Sequence, residues 1–434
     1  MSAPIAAVAL GLATGCGGSR APVARTTAAT VAPPPIHTTA PPPPRLPPGT
    51  AALDTALKRE LRRAGSSSGA AVYDLTDHVW LFSLRDGVAR PPASVEKLYT
   101  TVAVLRKLGP SATLETRVLG AGHLARGGIW RGNLYVRGGG DPTLGDETFN
   151  RTWEHGYGPT AEELVRQLWA DGIRRVTGHV IGDGSLFDAK LGPPSMGFAP
   201  DIPDLGGELS ALTYDHGSAE AGWSPTSFTA HELALTMRDA GIAAQATRKA
   251  GKAPASARTL ATVSSPPMSV LVRLMDVPSD DFFAEMLAKQ LGVRFGGAGS
   301  TAAGARVIAE TIAGDYGLHP KIVDGSGLSR ADVTSPRTVV DFLRELWGTA
   351  TGAQLYGALP VVGVNGTVQT IAVHTPARGA CVAKTGTLTD VTNLAGYCHS
   401  RGGQRLAFAL FVDGPPNWQA LVLEGDMVGA IARL

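Results

Sequence analysis

The 434-residue sequence has no apolar run that reaches the 18 or more residues needed to span a bilayer as a helix. It has three cysteines, Cys16, Cys381 and Cys398, too few for a disulfide-dense scaffold or a four-cysteine zinc site. Charge is scarce and balanced: 18% of residues are charged, 39 basic against 37 acidic, for a net charge of +2. That balance implies no polyanion-binding surface, and nucleic acid is not expected as a partner. HExxH and GxxxxGK[ST] are missing, and no two of the ten histidines stand four residues apart. Zincin and P-loop chemistry therefore lack their signatures. The glycines of RGGGDPTLG do not fit GxGxxG and read as a tight turn, with Asp141 structural. What is present is a globular composition, 44% hydrophobic, with 54 glycines and 31 prolines that promise many turns.

Acidic residues are absent before Asp54. Residues 5–15 read IAAVALGLATG and end at Cys16, the shape of a secretory signal with a lipoprotein-type cleavage site, Ala13-Thr14-Gly15-Cys16. Export to the cell envelope is expected, and Cys16 is the lipidation candidate for anchoring to the outer face of the cytoplasmic membrane. A Thr/Ala/Pro tract follows, with PPP at 33–35 and PPPPRLPP at 41–48. It has too few large apolar side chains to offset its ordering entropy, and polyproline is a semi-rigid spacer. Residues 1–16 thus read as a signal and lipobox-like segment and 17–50 as a linker.

Beyond the linker, Leu53, Leu57 and Leu61 fall at helical spacing, and Gly65 can end that helix. Strands are expected at 70–75 and 79–84, and a helix from about Ser94 to Leu108. Thr160 with Glu163 forms a capping box before the apolar positions Leu164, Val165, Leu168 and Trp169. Residues 176–235 read as strands and loops. Helical patterns return from Met268, through SVLVRLMDVPSDDFFAEMLAKQLG and TVVDFLRELWG, and a last amphipathic helix spans 418–434. Strands at 380–387 and 393–399 suggest a hairpin. There is no fixed-period repeat and no regular βαβ alternation, so the expected class is α+β. A hairpin turning between Thr389 and Asp390 sets Cys381 opposite Cys398, a disulfide candidate in an oxidising compartment. Two buried free thiols are the alternative, since one slip of register puts the side chains on opposite faces.

Two short motifs carry chemistry. Ser94-Val95-Glu96-Lys97 is the only S-x-x-K in the chain, placed after Pro91-Pro92-Ala93 where a helix begins. On a helix, i and i+3 share a face, so the lysine amine hangs beside the serine hydroxyl. A buried, neutral amine can take the serine's proton and so activate a weak nucleophile. Lys384-Thr385-Gly386-Thr387 is the only K-[ST]-G and lies on an expected strand. Lys384 offers a fixed positive charge for a carboxylate. Gly386 removes a side chain where a substrate backbone would pair along the strand.

These are signatures of serine penicillin-recognising enzymes, whose third element is S-x-N. The candidate for it is Ser279-Asp280-Asp281. From about Leu53 to Leu434 the chain resembles peptidase family S13, the D-alanyl-D-alanine carboxypeptidases of the class C low-molecular-mass penicillin-binding proteins. The resemblance rests on PASVEKLYTT, LYVRGGGDPTLG, IGDGSLFD, ELSALTYD, SPPMSVLVRLMDVPSDDFFAEML, DGSGLSR, ALPVVGVNGTV and AKTGTLTDVTNLAGY. It implies a β-lactamase/transpeptidase-like peptidase domain in two pieces, 51–110 and 262–434, around a strand-rich inserted region, 111–261.

The resemblance further implies that Ser94 is acylated, with Lys97 as its base and Ser279 relaying a proton to the leaving group. Lys384 and Thr385 would hold the substrate carboxylate. The backbone N–H groups of Thr387 and Ser94 would form the oxyanion hole. Peptidoglycan stem peptides or crosslinks would be the substrates, β-lactam antibiotics would acylate the same serine, and no cofactor or metal is implied. Tyr99 is expected to pack, and the DGSGLSR loop, with Ser326 and Ser329, to brace the site.

Asp281 departs from the family's asparagine. An amide donates and accepts at once, whereas an ionised carboxylate only accepts. A negative charge beside Lys97 favours the ammonium, a poor base. The sequence therefore leaves open a catalytically weak protein that keeps the penicillin-binding fold and binds cell wall. A β-lactamase is a third reading, disfavoured by the long insertion.

Overall fold

Leucines at every fourth position make one apolar stripe, and Thr50–Ala64 is helical in the computed structural model, which describes residues 46–434. Leu53, Leu57 and Leu61 are buried, each contributing roughly 1.5–3 kcal/mol. Gly65 ends the helix at φ 98°, a conformation that glycine adopts without a steric penalty. The signal and lipidation readings at Cys16, and nearly all of the linker, lie outside the described residues.

Ten strands among the described residues form two five-stranded sheets. The first joins β1 (Gly69–Asp74) and β2 (Val79–Leu84) to β8 (Cys381–Leu388), β9 (Val391–His399) and β10 (Arg405–Asp413). Its order is β2-β1-β10-β9-β8, antiparallel throughout. The first two and the last three strands of the described residues thus share one sheet. Helices cover both faces, so β9 and β10 are buried along nearly their whole length rather than at alternate residues. On one face Thr50–Ala64 and Asn417–Arg433 pack Leu57, Leu61, Met427 and Ile431 on Val72, Phe408 and Leu410. On the other, helices Lys97–Lys107, Met268–Asp276, Asp281–Phe295 and Pro336–Leu346 bury Tyr99, Met275, Phe283 and Phe342.

The second sheet runs β6 (Ala243–Gln245), β5 (Arg175–Asp183), β4 (Ile129–Arg137), β3 (Glu115–Ala125), β7 (Arg258–Ser264). All its strands fall between Ser94 and Ser279 in sequence. Strands β4, β5 and β6 are parallel, joined by helices that include Ala161–Ala170 and Pro225–Asp239. The second of these helices corrects the reading of 176–235 as strands and loops. Its start signals are ordinary: Ser224 caps the Ser227 N–H and Pro225 opens the first turn. The Thr160 capping box forms with both its hydrogen bonds. Trp169, however, is exposed, with the Arg174 guanidinium 3.7 Å from its ring centroid. The chain is α+β overall, with this one alternating stretch inside it.

In the β8–β9 hairpin Cys381 faces Cys398, and a disulfide joins them. The backbone of Cys381 bonds elsewhere, its N–H to the Ala377 carbonyl and its carbonyl to the Val362 N–H. The two cysteines therefore form a non-hydrogen-bonded pair, the closer of the two antiparallel pairings. Thiol counting on the unfolded, unreduced protein is expected to find no free thiol at 381 or 398; two would reject the bond.

Candidate active site

Ser94 does not open the α-helix, as the sequence suggested. Ala93–Glu96 is a 3₁₀ turn, and the α-helix begins at Lys97. Ala93 has φ 49°, a strained value for a residue with a Cβ, immediately before the serine. The i and i+3 relation survives, and the Lys97 Nζ donates to Ser94 Oγ at 2.9 Å. The amine is fully buried; it also donates to the Ser326 carbonyl at 2.9 Å and contacts Asp281 Oδ1 directly. Asn393 on β9 braces the turn, its Nδ2 donating to the Pro91 and Pro92 carbonyls, each at 3.0 Å.

Gly386 has a different reason from the one read in the sequence. A methyl group there would lie 2.4 Å from the Pro92 carbonyl oxygen and 3.1 Å from the Ser94 N. The space a side chain would need is filled by the serine's own turn, so the missing Cβ lets β8 press against Ser94. Thr387 follows, exposed and opposite Thr392 on β9.

The third motif breaks a helix to aim its serine. Met268–Asp276 ends, Ser279 adopts φ 67°, and Asp280 caps the next helix by accepting from the Phe283 N–H at 2.8 Å. Ser279 Oγ consequently meets Lys384 Nζ at 2.6 Å, and Asp281, the first helical residue, meets Lys97. Lys384 also donates to the Thr385 carbonyl at 3.0 Å, and the Thr385 hydroxyl lies 2.7 Å from that of Thr367. Burial, then the nearby Lys97 charge, push Lys384 down to about 7, against Asp276 and Asp281. Burial raises Asp281, opposed by Lys97. Asp276, missed by the sequence reading, is fully buried and pushed up to about 7 by burial, with Lys384 opposing. Its Oδ2 accepts from the Thr101 hydroxyl at 2.6 Å, and its Oδ1 has no protein partner. An acid ending the apolar stretch MSVLVRLMD was the available signal.

Behind Lys97 lie four more buried carboxyls, Glu96, Glu285, Asp324 and Asp332. Glu285 accepts from the Gly325 and Ser326 N–H groups and the Ser326 hydroxyl, tying the DGSGLSR loop to the helix of Asp281. Asp324 accepts from the N–H groups of Ser326, Gly327 and Ser329. Burial, then repulsion from Asp324, push Glu285 up to about 8 and Asp332 up to about 9; burial raises Glu96. Such carboxyls stay protonated in the fold at a pH where the unfolded chain has released the protons. The native state then binds more protons, so stability is full below about pH 4 and falls as pH rises. Tm is expected to drop by several degrees between pH 5 and 7, before Lys384 titrates in the opposite sense. Asp332→Asn should flatten that slope; a Tm that rises over this range would mean the cluster is charged in the fold.

Tyr99 is buried, its hydroxyl 2.8 Å from that of Thr334, and Asp141 accepts from the Thr143 N–H and hydroxyl within its turn. Among the described residues no group of three His, Cys, Asp or Glu is arranged to hold a metal ion. The structure thus brings Ser94, Lys97, Ser279, Asp281 and Lys384 together, with Thr385 and Gly386 following Lys384 on β8. A hydroxyl touching a buried amine, beside a second hydroxyl touching a second buried amine, is suited to nucleophilic attack followed by proton return.

The D-Ala-D-Ala carboxypeptidase 3 (S13) family matches residues 50–203 and 203–433. A D-alanyl-D-alanine carboxypeptidase of Actinomadura sp. (strain R39) is 27% identical over 457 residues, covering 85% of this chain and 82% of that protein. Carboxypeptidase DacB of Mycolicibacterium smegmatis is 30% identical over 369 residues, covering 80% and 76%. Among solved structures, penicillin binding protein 4 (dacB) from Haemophilus influenzae superposes with a TM-score of 0.73 at 19% identity. It covers 87% of this chain and 99% of that one, which establishes the shared fold.

Proposed function

The chain belongs to the D-Ala-D-Ala carboxypeptidase 3 (S13) family, and on that premise we propose a serine-type D-alanyl-D-alanine carboxypeptidase or endopeptidase. It trims peptidoglycan stem peptides or crosslinks through an acyl-enzyme on Ser94, and penicillins acylate the same oxygen. Lys97, neutral, takes the Ser94 proton as Oγ attacks the carbonyl carbon of the penultimate D-alanine. The Ser94 and Thr387 N–H groups receive the developing oxyanion. Lys384 and Thr385 hold the terminal carboxylate. Collapse breaks the amide bond; the proton passes through Ser279 to the leaving amine, and water later hydrolyses the ester. The observation that carries this reading is the buried Lys97 amine 2.9 Å from Ser94 Oγ.

The second reading, a weakly catalytic cell-wall-binding protein, is favoured by the Lys97–Asp281 contact, which stabilises the ammonium. Release of D-alanine from a peptide ending in D-Ala-D-Ala, with intact mass after incubation with penicillin, separates the two. An adduct without D-alanine release supports the second; neither signal rejects both. The N-terminal IAAVALGLATGC supports export to the cell envelope and lipid attachment at Cys16. Among the described residues no helix is long and apolar enough to cross a membrane.

A further inference from the structure

Ser279 sits in a strained conformation, φ 67°, and its geometry needs enforcement from its neighbours. Asp280 supplies it, fixed at three points. Its N–H donates to the Met275 carbonyl at 2.8 Å, its Oδ1 caps the following helix, and its Oδ2 lies 2.8 Å from Nε2 of His216. His216 comes from the chain between β5 and β6, remote in sequence from all three motifs. Its ring is seated deliberately: it lies over Phe282 with centroids 4.4 Å apart, and its Nδ1 is 3.3 Å from the Gly206 carbonyl oxygen. Gly217, at φ 71°, allows the approach, since a methyl group there would lie 2.6 Å from the Phe282 ring.

We propose that His216, as an imidazolium, is a positioning residue that clamps Asp280 and thereby holds Ser279 on Lys384 and Asp281 on Lys97. The role rests on the reading of Ser94, Lys97 and Ser279 given above. The charged groups that face His216 agree with a cation there. Burial works against its charge, but Asp280, by charge and hydrogen bond, and Glu154 outweigh it and raise His216 to about 9. Glu154 is itself pushed up to about 7 by burial, with Asp141 and Asp280 adding to the shift and His216 opposing it. Asp215, the preceding residue, turns away and accepts from the Asp146 N–H at 2.8 Å.

The test is the rate of penicillin acylation of Ser94 in wild type, His216→Gln, Asp280→Asn and the double variant. Glutamine keeps a donor of similar reach without the charge, and it serves if His216→Ala does not fold. Acylation is expected to slow about tenfold at pH 7 in His216→Gln. The double variant should be no slower than the worse single, because one clamp is removed twice. The rate ratio of wild type to His216→Gln should approach one as pH passes about 9, where the imidazolium is lost. An unchanged rate, additive losses, or a ratio that ignores pH would overturn the assignment; a purely structural histidine would move Tm but not this ratio. Absence of any adduct in the wild type overturns the catalytic reading itself, and the role of His216 falls with it. An adduct in the wild type with an unaffected variant overturns the role of His216 alone.

Discussion

Ser94→Ala is expected to carry no covalent penicillin after incubation and digestion, where the wild type carries one adduct on the peptide containing Ser94. The expectation rests on how little else in the site can replace that oxygen. Ser279 is the other hydroxyl at a buried amine, but it meets Lys384, not Lys97. Burial brings Lys384 down to about 7, so it can itself lose its proton near neutral pH. An adduct migrating to Ser279 in Ser94→Ala is thus the informative contrary result, because it would make Ser279–Lys384 the reacting pair. Lys97→Met should retain the nucleophile and lose its base, slowing acylation by roughly a thousandfold or more. The Lys97 contacts with the Ser326 carbonyl and Asp281 would be lost too, so its Tm must be read beside its rate.

What the sequence made legible follows from distance along the chain. The spacing of Ser94 and Lys97 survives a change from α to 3₁₀ geometry, because both helices bring i and i+3 to one side. The β8–β9 register could be read because a tight hairpin leaves little freedom, and its turn fixes every facing pair down to Cys381 and Cys398. The carboxyl cluster could not be read that way. Glu96, Glu285, Asp324 and Asp332 stand in three separate segments, and no local pattern announces that they converge. Gly386 was identified for a substrate's sake, yet what requires it is the approach of a turn nearly three hundred residues earlier in the chain. The helix Pro225–Asp239 was missed although its Ser-Pro start was visible, because Thr, His and Ser inside it blur the apolar period. His216 gave no signal at all: its partner, Asp280, is the unspecified middle residue of a motif.

Asp281→Asn is expected to raise the acylation rate constant near pH 7 by about tenfold, because the amine that must accept the Ser94 proton loses its carboxylate partner. In the wild type, Asp281 contacts the same buried amine that must accept the Ser94 proton. An ionised carboxylate can only accept, so it draws the amine toward the ammonium form; an asparagine Oδ1 accepts from a neutral amine with little bias and leaves Nδ2 to donate to substrate. The same charge has a second, opposing effect. Asp281, with Asp276, helps keep Lys384 protonated against burial and Lys97. Its removal lets Lys384 lose its proton more readily and weakens the grip on the substrate carboxylate. The direct Lys97 contact outweighs the more distant influence on Lys384, so the rate constant should rise while affinity falls. A pH profile separates the two effects. Asp281→Asn should lose affinity at a lower pH than the wild type, as Lys384 neutralises. Burial raises Asp281, and a protonated carboxyl would both donate and accept as the amide does. In that case the variant and wild type would acylate at the same rate with the same profile, and the carboxyl would be an adapted member of the site.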